Sequence, residues 1–282
     1  MYEAKVENQY GKTLNLTQNP NYDVLKIDGL TPPDALLIMN EISNFDGSIY
    51  NGSRLSNRNI VITIKPNFPV ERNRLAIYEY FRIKSQVKFS FKNDARDVYI
   101  YGYVESIDGD LFEFNQTLQI SIICNDPYFK ESSVTTLDFI SVESLFEFPF
   151  SISEEGIEFS RIIITSQHVV NGSNFDNGLI IEMHALADNI VNPMFYNLTT
   201  NTFLGLNYVL NAGDTVVINT NKGHKSVILI RDGQKINLIN YLKPFSAWIQ
   251  IIAGDNELSY SSDSGADELS VNVTYENKFE GV

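Results

Sequence analysis

The sequence predicts a mainly β protein built of two domains, on three observations. Only one stretch has a convincing helical period, Val70–Lys84, where Leu75, Tyr78 and Phe81 recur every third residue and Ile77 and Phe81 stand four apart. The rest is short apolar runs punctuated by Gly, Pro, Asn and Asp, in a chain with 15 tyrosines and 18 phenylalanines, residue types that favour strands. The charge is also unevenly spread. Residues 1–130 hold 14 Lys+Arg against 16 Asp+Glu, and residues 131–282 hold 7 against 19. A length of 282 residues fits one large or two ordinary domains, and the charge contrast favours two.

Taken in order, residues 1–30 read as a meander of short strands, with turns at Tyr10-Gly11-Lys12, Asn19-Pro20-Asn21 and Asp28-Gly29. Pro32-Pro33 opens the apolar run Ala35–Ile42, a buried strand or a short helix by periodicity alone. Asp46-Gly47 and Asn51-Gly52 are turn signals. An arginine-rich run then leads into the strand Ile60–Ile64, and the turn Pro66-Asn67-Phe68-Pro69 leads into the helix. One helix among strands is a packing element for a barrel or a sheet. Strands follow at Val87–Phe91 and Val98–Val104. In the second, Val98, Ile100, Gly102 and Val104 share one face and Tyr99, Tyr101 and Tyr103 the other. An aromatic second face is covered by further strands or meets a neighbouring subunit. Leu118, Ile120, Ile122 and Cys124 alternate in another strand, which Pro127 stops. The first domain is therefore expected to cover 1–130.

Residues 131–160 read as a connector with strand-like pieces at Leu137–Val142 and Leu145–Phe150, counted with the second domain, 131–282. Strands are then expected at Arg161–Ser166, Leu179–His184, Thr202–Leu210, Thr215–Asn219, Ser226–Arg231, Phe245–Ile252 and Leu269–Tyr275. With turns such as Asp232-Gly233 between them, this half reads as an antiparallel β-sandwich.

The composition excludes several functions. A formal net charge of −14 opposes sequence recognition of nucleic acid, which needs a basic face. Cys124 is the one cysteine, so neither an intrachain disulfide nor a cysteine metal site is available. Met1–Glu7 lacks the pattern of a signal peptide, and no apolar run approaches the ~20 residues of a membrane span, so cytoplasmic synthesis without membrane insertion is expected. His168, His184 and His224 share no metal-ligand spacing, and nucleophile-elbow, P-loop and dinucleotide motifs are missing. Asp108/Asp110, Asp255/Glu257 and Asp263/Asp267/Glu268 sit among Gly and Ser in turns, where aspartate is favoured for backbone reasons. No catalytic residue, cofactor or metal is expected. Trp248, the single tryptophan, alternates with Ile249 and Ile251, the position of a core or domain-interface aromatic more than of a sugar platform.

An ordered set of local motifs carries a family resemblance: Gly52–Ile64, Arg74–Lys84, Tyr101–Glu105 and Gln119–Phe129 in the first half. In the second half it continues with Val191-Asn192-Pro193, Asn197–Thr200, Leu210–Asp214, Thr220–Val227, Asn237–Leu242, Ile252–Asn256 and Gly281-Val282. In this order, over nearly the whole chain, they resemble the distal tail protein (Dit) family of long non-contractile-tailed bacteriophages. The resemblance implies a tail-tube-like N-terminal β-barrel with one helix that assembles into a hexameric ring, and a C-terminal galectin-like jelly roll. It also implies a baseplate hub at the distal end of the virion tail, in one ring or two stacked. Its partners would be the major tail tube protein, a tail-tip protein and receptor-binding parts. A closing ring needs a heterologous surface. Arg54, Arg58, Arg74, Tyr99, Tyr101 and Tyr103 are the candidates for it, with Arg72, Arg82 and Arg96 from the same basic set.

Two rival readings stand beside this one. A carbohydrate-binding sandwich that touches the host cell wall would use an exposed aromatic platform, Trp248 being the candidate. A wall hydrolase would need two carboxylates converging in a cleft.

Overall fold

The computed structural model describes residues 2–43, 46–139, 142–144, 160–162 and 166–282. The expected strand Leu145–Phe150 lies outside them. The chain divides into two compact units, Met1–Ser133 with Lys278–Val282, and Val134–Asn277.

The first unit opens with β1 (Glu3–Asn8), β2 (Thr13–Asn15) and β3 (Tyr22–Asp28), then β4 (Ala35–Glu41) and β5 (Ser48–Leu55). β6 (Arg58–Pro66), α1 (Val70–Tyr80), β7 (Gln86–Lys92), β8 (Asp97–Gly109), β9 (Leu118–Cys124) and β10 (Phe129–Glu131) follow. The main sheet runs β2-β1-β7-β8-β9-β6-β3, antiparallel throughout. β10 pairs with β8 and with the closing strand Lys278–Phe279. The inward sides of β6, β8 and β9 are apolar at every second residue, Ile60, Ile62 and Ile64 against Ile120, Ile122 and Val104, because a strand repeats its side-chain direction every two residues.

The expected barrel does not close. β2 and β3 are the two ends of the sheet, and α1 lies across the gap between them. Asn8 donates through Nδ2 to the Glu79 carbonyl at 3.3 Å, and the Tyr22 hydroxyl donates to the Asn73 carbonyl at 3.0 Å. The helix thus takes the place that edge-to-edge pairing would fill. It also faces the sheet differently from the expected stripe. Asn73, Ile77 and, just beyond the last turn, Phe81 are buried, while Leu75 is 55% and Tyr78 37% exposed. Asn73 tolerates burial because its Nδ2 donates to the Asn67 carbonyl at 2.9 Å.

The second unit contains β11 (Thr135–Asp138), β12 (Val142–Ser144), β13 (Ser160–Ile162), β14 (Gln167–Asn171), β15 (Asn177–Gly178), β16 (Ile180–Ala185), β17 (Ile190–Val191) and β18 (Met194–Asn197). It continues with β19 (Thr202–Gly205), β20 (Val209–Leu210), β21 (Thr215–Asn219), β22 (Ser226–Arg231), β23 (Gln234–Asn237), β24 (Gln250–Ile251), β25 (Gly254–Ser261) and β26 (Leu269–Tyr275). A six-stranded sheet, β11-β26-β16-β21-β22-β23, faces a four-stranded one, β14-β25-β18-β19. One core fills the space between them. Ile181, Met183, Val216 and Val271 come from the first sheet, and Val169, Phe195, Leu204 and Tyr260 from the second. Phe139 sits edge-on to Phe195 at 5.8 Å and to Tyr260 at 5.9 Å. This is the antiparallel β-sandwich expected of the second half.

Candidate assembly surface

β4 and β5 form a hairpin that, among the described residues, pairs with no other strand. Its register runs from Ala35↔Leu55 to Glu41↔Ser48, with an irregularity at Ile38/Met39. Every residue of β4 is exposed, and Leu36, Leu37, Ile38 and Met39 are each 46–52% open to solvent. Successive strand residues point to opposite faces, so both faces of the ribbon are apolar. Ile49 and Tyr50 extend the patch on β5. A two-stranded ribbon has little stability of its own in water, and an apolar patch of this kind marks a docking surface. Of the two readings of Ala35–Ile42, a buried strand or a short helix, the strand is found, and burial is corrected for the free chain. An apolar run has the same composition whether its own domain or a neighbour covers it.

The predicted interface residues fall on different elements. Arg54 lies on the hairpin itself, opposite Leu36. Arg58 is only 2% exposed and is used internally. It donates from Nε to the Pro127 carbonyl at 2.7 Å and from Nη1 to the Thr31 carbonyl at 2.7 Å, and it also donates to the carbonyls of Gly29 and Glu280. The guanidinium lies 4.5 Å from the Phe129 ring centroid. Arg74 stays on α1, bonded to Glu71 and to the Tyr78 hydroxyl. Tyr99, Tyr101 and Tyr103 do share an outward face of β8: Tyr99 meets Tyr101 edge-on at 5.5 Å, Lys88 Nζ sits 4.3 Å over Tyr99, and Tyr101 and Tyr103 are exposed. The hairpin side chains Leu36–Met39, Ile49 and Tyr50 are not among the interface candidates that the sequence suggests. The usable signal was an unalternating apolar run between Pro32-Pro33 and two strong turn dipeptides.

The residues weighed for chemistry stay apart. His184 Nδ1 lies 2.9 Å from Thr215 Oγ1, and no group of three or more His, Cys, Asp and Glu side chains able to hold a metal occurs among the described residues. Asp108 accepts from the Ser106 hydroxyl at 3.0 Å, Asp110 from the Phe112 amide at 3.1 Å, and Asp263 from Asn192 Nδ2 at 2.7 Å. The first two are the local bonds of turn aspartates, and the third joins segments 71 residues apart. Trp248 is half-buried against the second unit's core, with Lys225 Nζ 5.4 Å over its ring.

Residues 172–279 match the family described as siphovirus-type tail component, C-terminal domain. Most of the second unit is thus similar to the C-terminal domain of a siphovirus-type tail component. The crystal structure of the Dit protein of phage SPP1, described as a paradigm of the hub adsorption apparatus in phages infecting Gram-positive bacteria, is similar over 99% of both chains, with a TM-score of 0.68 and 16% identity. A chain of the phage P2 baseplate in its activated conformation with Ca is similar over 100% of both chains, with a TM-score of 0.49 and 10% identity. No curated protein sequence matches. The SPP1 likeness extends the shared fold through the first unit as well.

Proposed function

We propose that this protein is a Dit-family tail component, the distal hub of a siphophage tail. Six copies close a ring through their first units, and the ring joins the tail tube to the tail-tip and receptor-binding apparatus for host attachment. The observation that carries the reading is the β4–β5 hairpin, apolar on both faces and, among the described residues, paired with no other strand. A heterologous ring contact needs a docking surface on each copy that fits a different patch of the next, and the family resemblance supplies the number six. Tyr99, Tyr101, Tyr103 and Arg54 are the further contact candidates. Light scattering on a sizing column tests this. A species near six times 32.0 kDa, or twice that, is expected for the native protein, and smaller species for Leu36→Asp/Ile38→Asp and Leu37→Asp/Met39→Asp. A strict monomer at all concentrations would oppose the ring.

The carbohydrate-binding reading draws on a different pair from the one the sequence suggested. Tyr241 is 46% exposed and meets Tyr208 edge-on at 5.1 Å, whereas Trp248 is packed against the core. Cell-wall glycan binding abolished by Tyr241→Ala but not by Trp248→Phe would favour that second reading.

A further inference from the structure

We infer that the segment Lys278–Val282 is a strap that fixes the base of the β4–β5 hairpin and thereby sets its ring contact; the contact part of this rests on the function proposed above.

The chain leaves the first unit after Ser133 and returns to it at Lys278. Lys278 and Phe279 pair with Lys130 and Phe129 of β10. The Arg96 guanidinium lies 4.2 Å from the Phe279 ring centroid, and Arg96 also donates to the Gly281 carbonyl. These contacts dock the strap. Two further sets reach the hairpin. The Val282 amide donates to the Leu30 carbonyl at 3.1 Å. Gly281 packs so closely that an added Cβ would stand 2.9 Å from Pro32 Cδ and 3.2 Å from the Leu30 oxygen. Leu30 and Pro32 lie immediately ahead of Ala35, where β4 begins.

Arg58 ties the other end. It follows β5 by three residues, and its guanidinium reaches from that exit to carbonyls at the entry of the hairpin and on the strap. Gly29 and Thr31 stand before β4, and Glu280 belongs to the strap. The Ser56 amide closes the base by donating to the Asp34 carbonyl at 3.3 Å. The entry to β4 and the exit from β5 are thus held to one strap by one buried cation, while the ribbon beyond them is exposed. A docking element whose base is already fixed loses less freedom on association. Releasing the base therefore weakens assembly without changing any side chain on the docking faces.

Gly281→Val and Phe279→Ala test this, each read in two ways. Light scattering against concentration gives association, and backbone hydrogen exchange of the dilute protein compares residues 30–55 with β7, β8 and β9. The expected result is faster exchange confined to 30–55, together with an association constant lower by about tenfold or more. Wild-type exchange at 30–55, or faster exchange spread equally through β7, β8 and β9, would overturn the strap and make the segment an ordinary sheet strand. Looser hairpin exchange with unchanged mass, while the hairpin aspartate variants also keep their mass, would keep the strap and overturn the ring contact it is meant to serve.

Discussion

The guanidinium of Arg58 donates to the backbone carbonyl of Glu280, 222 residues further along the chain. Burial pulls its pKa below the usual arginine value, yet four carbonyls and the Phe129 face compensate the charge. Arg58→Met removes every donor at once and leaves those carbonyls facing an apolar side chain. The expected cost is about 3 kcal/mol or more in the first unit, since each buried acceptor left without a partner costs roughly 1–3 kcal/mol. Urea unfolding followed by far-UV circular dichroism should show the loss. Trp248 lies in the second unit, so the midpoint of its fluorescence should stay in place. Arg58→Lys should rescue little, because a single ammonium cannot reproduce the fork of donors.

Gly102 is the small residue on the buried side of β8. A Cβ there would stand 2.6 Å from Ile122 Cγ2 and 2.8 Å from Cys124 Sγ. Gly102→Ala should therefore cost about 1–3 kcal/mol by overpacking. Pairing it with Ile122→Leu, which removes the Cγ2 methyl, should recover part of that loss, because the two changes share one contact. A double-mutant cycle on urea midpoints reads the coupling, and strict additivity would contradict this packing.

Much of this architecture was legible in the residues, and the exceptions have identifiable causes. Thr215–Asn219, Ser226–Arg231 and Leu269–Tyr275 are strands with the expected bounds, because one buried face imposes a period of two. β25 was missed because Ala253-Gly254-Asp255, where it opens, reads as a turn. Asn256 is buried there because Asn197 Nδ2 and the Ile252 amide both donate to its Oδ1. The helix face was misassigned because a buried Asn73 carries no apolar signal. Nothing in the run around Arg54 and Arg58 separates an exposed arginine from one enclosed by carbonyls, since the strap that encloses it is more than 200 residues away. The exposed apolar hairpin was hidden for the opposite reason: its residues look like core.

Cys124 offers a chemical probe of the first unit. Its side chain is fully buried, and burial pushes the thiol up to about 12. Only the thiolate reacts readily with disulfide reagents. At pH 8 the folded protein should be inert to an aromatic disulfide reagent, and labelling should appear only as urea opens β9. Fast labelling in buffer would show that the strand opens locally.

In the second unit, Arg231 donates from Nε to Asp214 Oδ1 at 2.7 Å and from Nη2 to Oδ2, and the Asn211 amide adds a third bond to Oδ2 at 2.8 Å. The Asp214 side chain is 2% exposed and that of Arg231 33%. The Arg231 bonds, helped by the Asn211 amide, hold the carboxyl below its ordinary value of 3.8. A carboxyl whose folded pKa is depressed binds its proton more tightly in the unfolded chain. Its stabilisation is therefore complete above the ordinary value and is lost as pH falls through the lower folded one. Asp214→Asn should cost about 2–3 kcal/mol at pH 7, the scale of hydrogen bonds to a charged group. The gap between the two proteins, read from Trp248 fluorescence in urea, should hold from pH 7 down to about 4 and narrow below that as the native carboxyl takes up its proton. A gap that stays constant down to pH 2.5 would show that shape, and not charge, makes this contact.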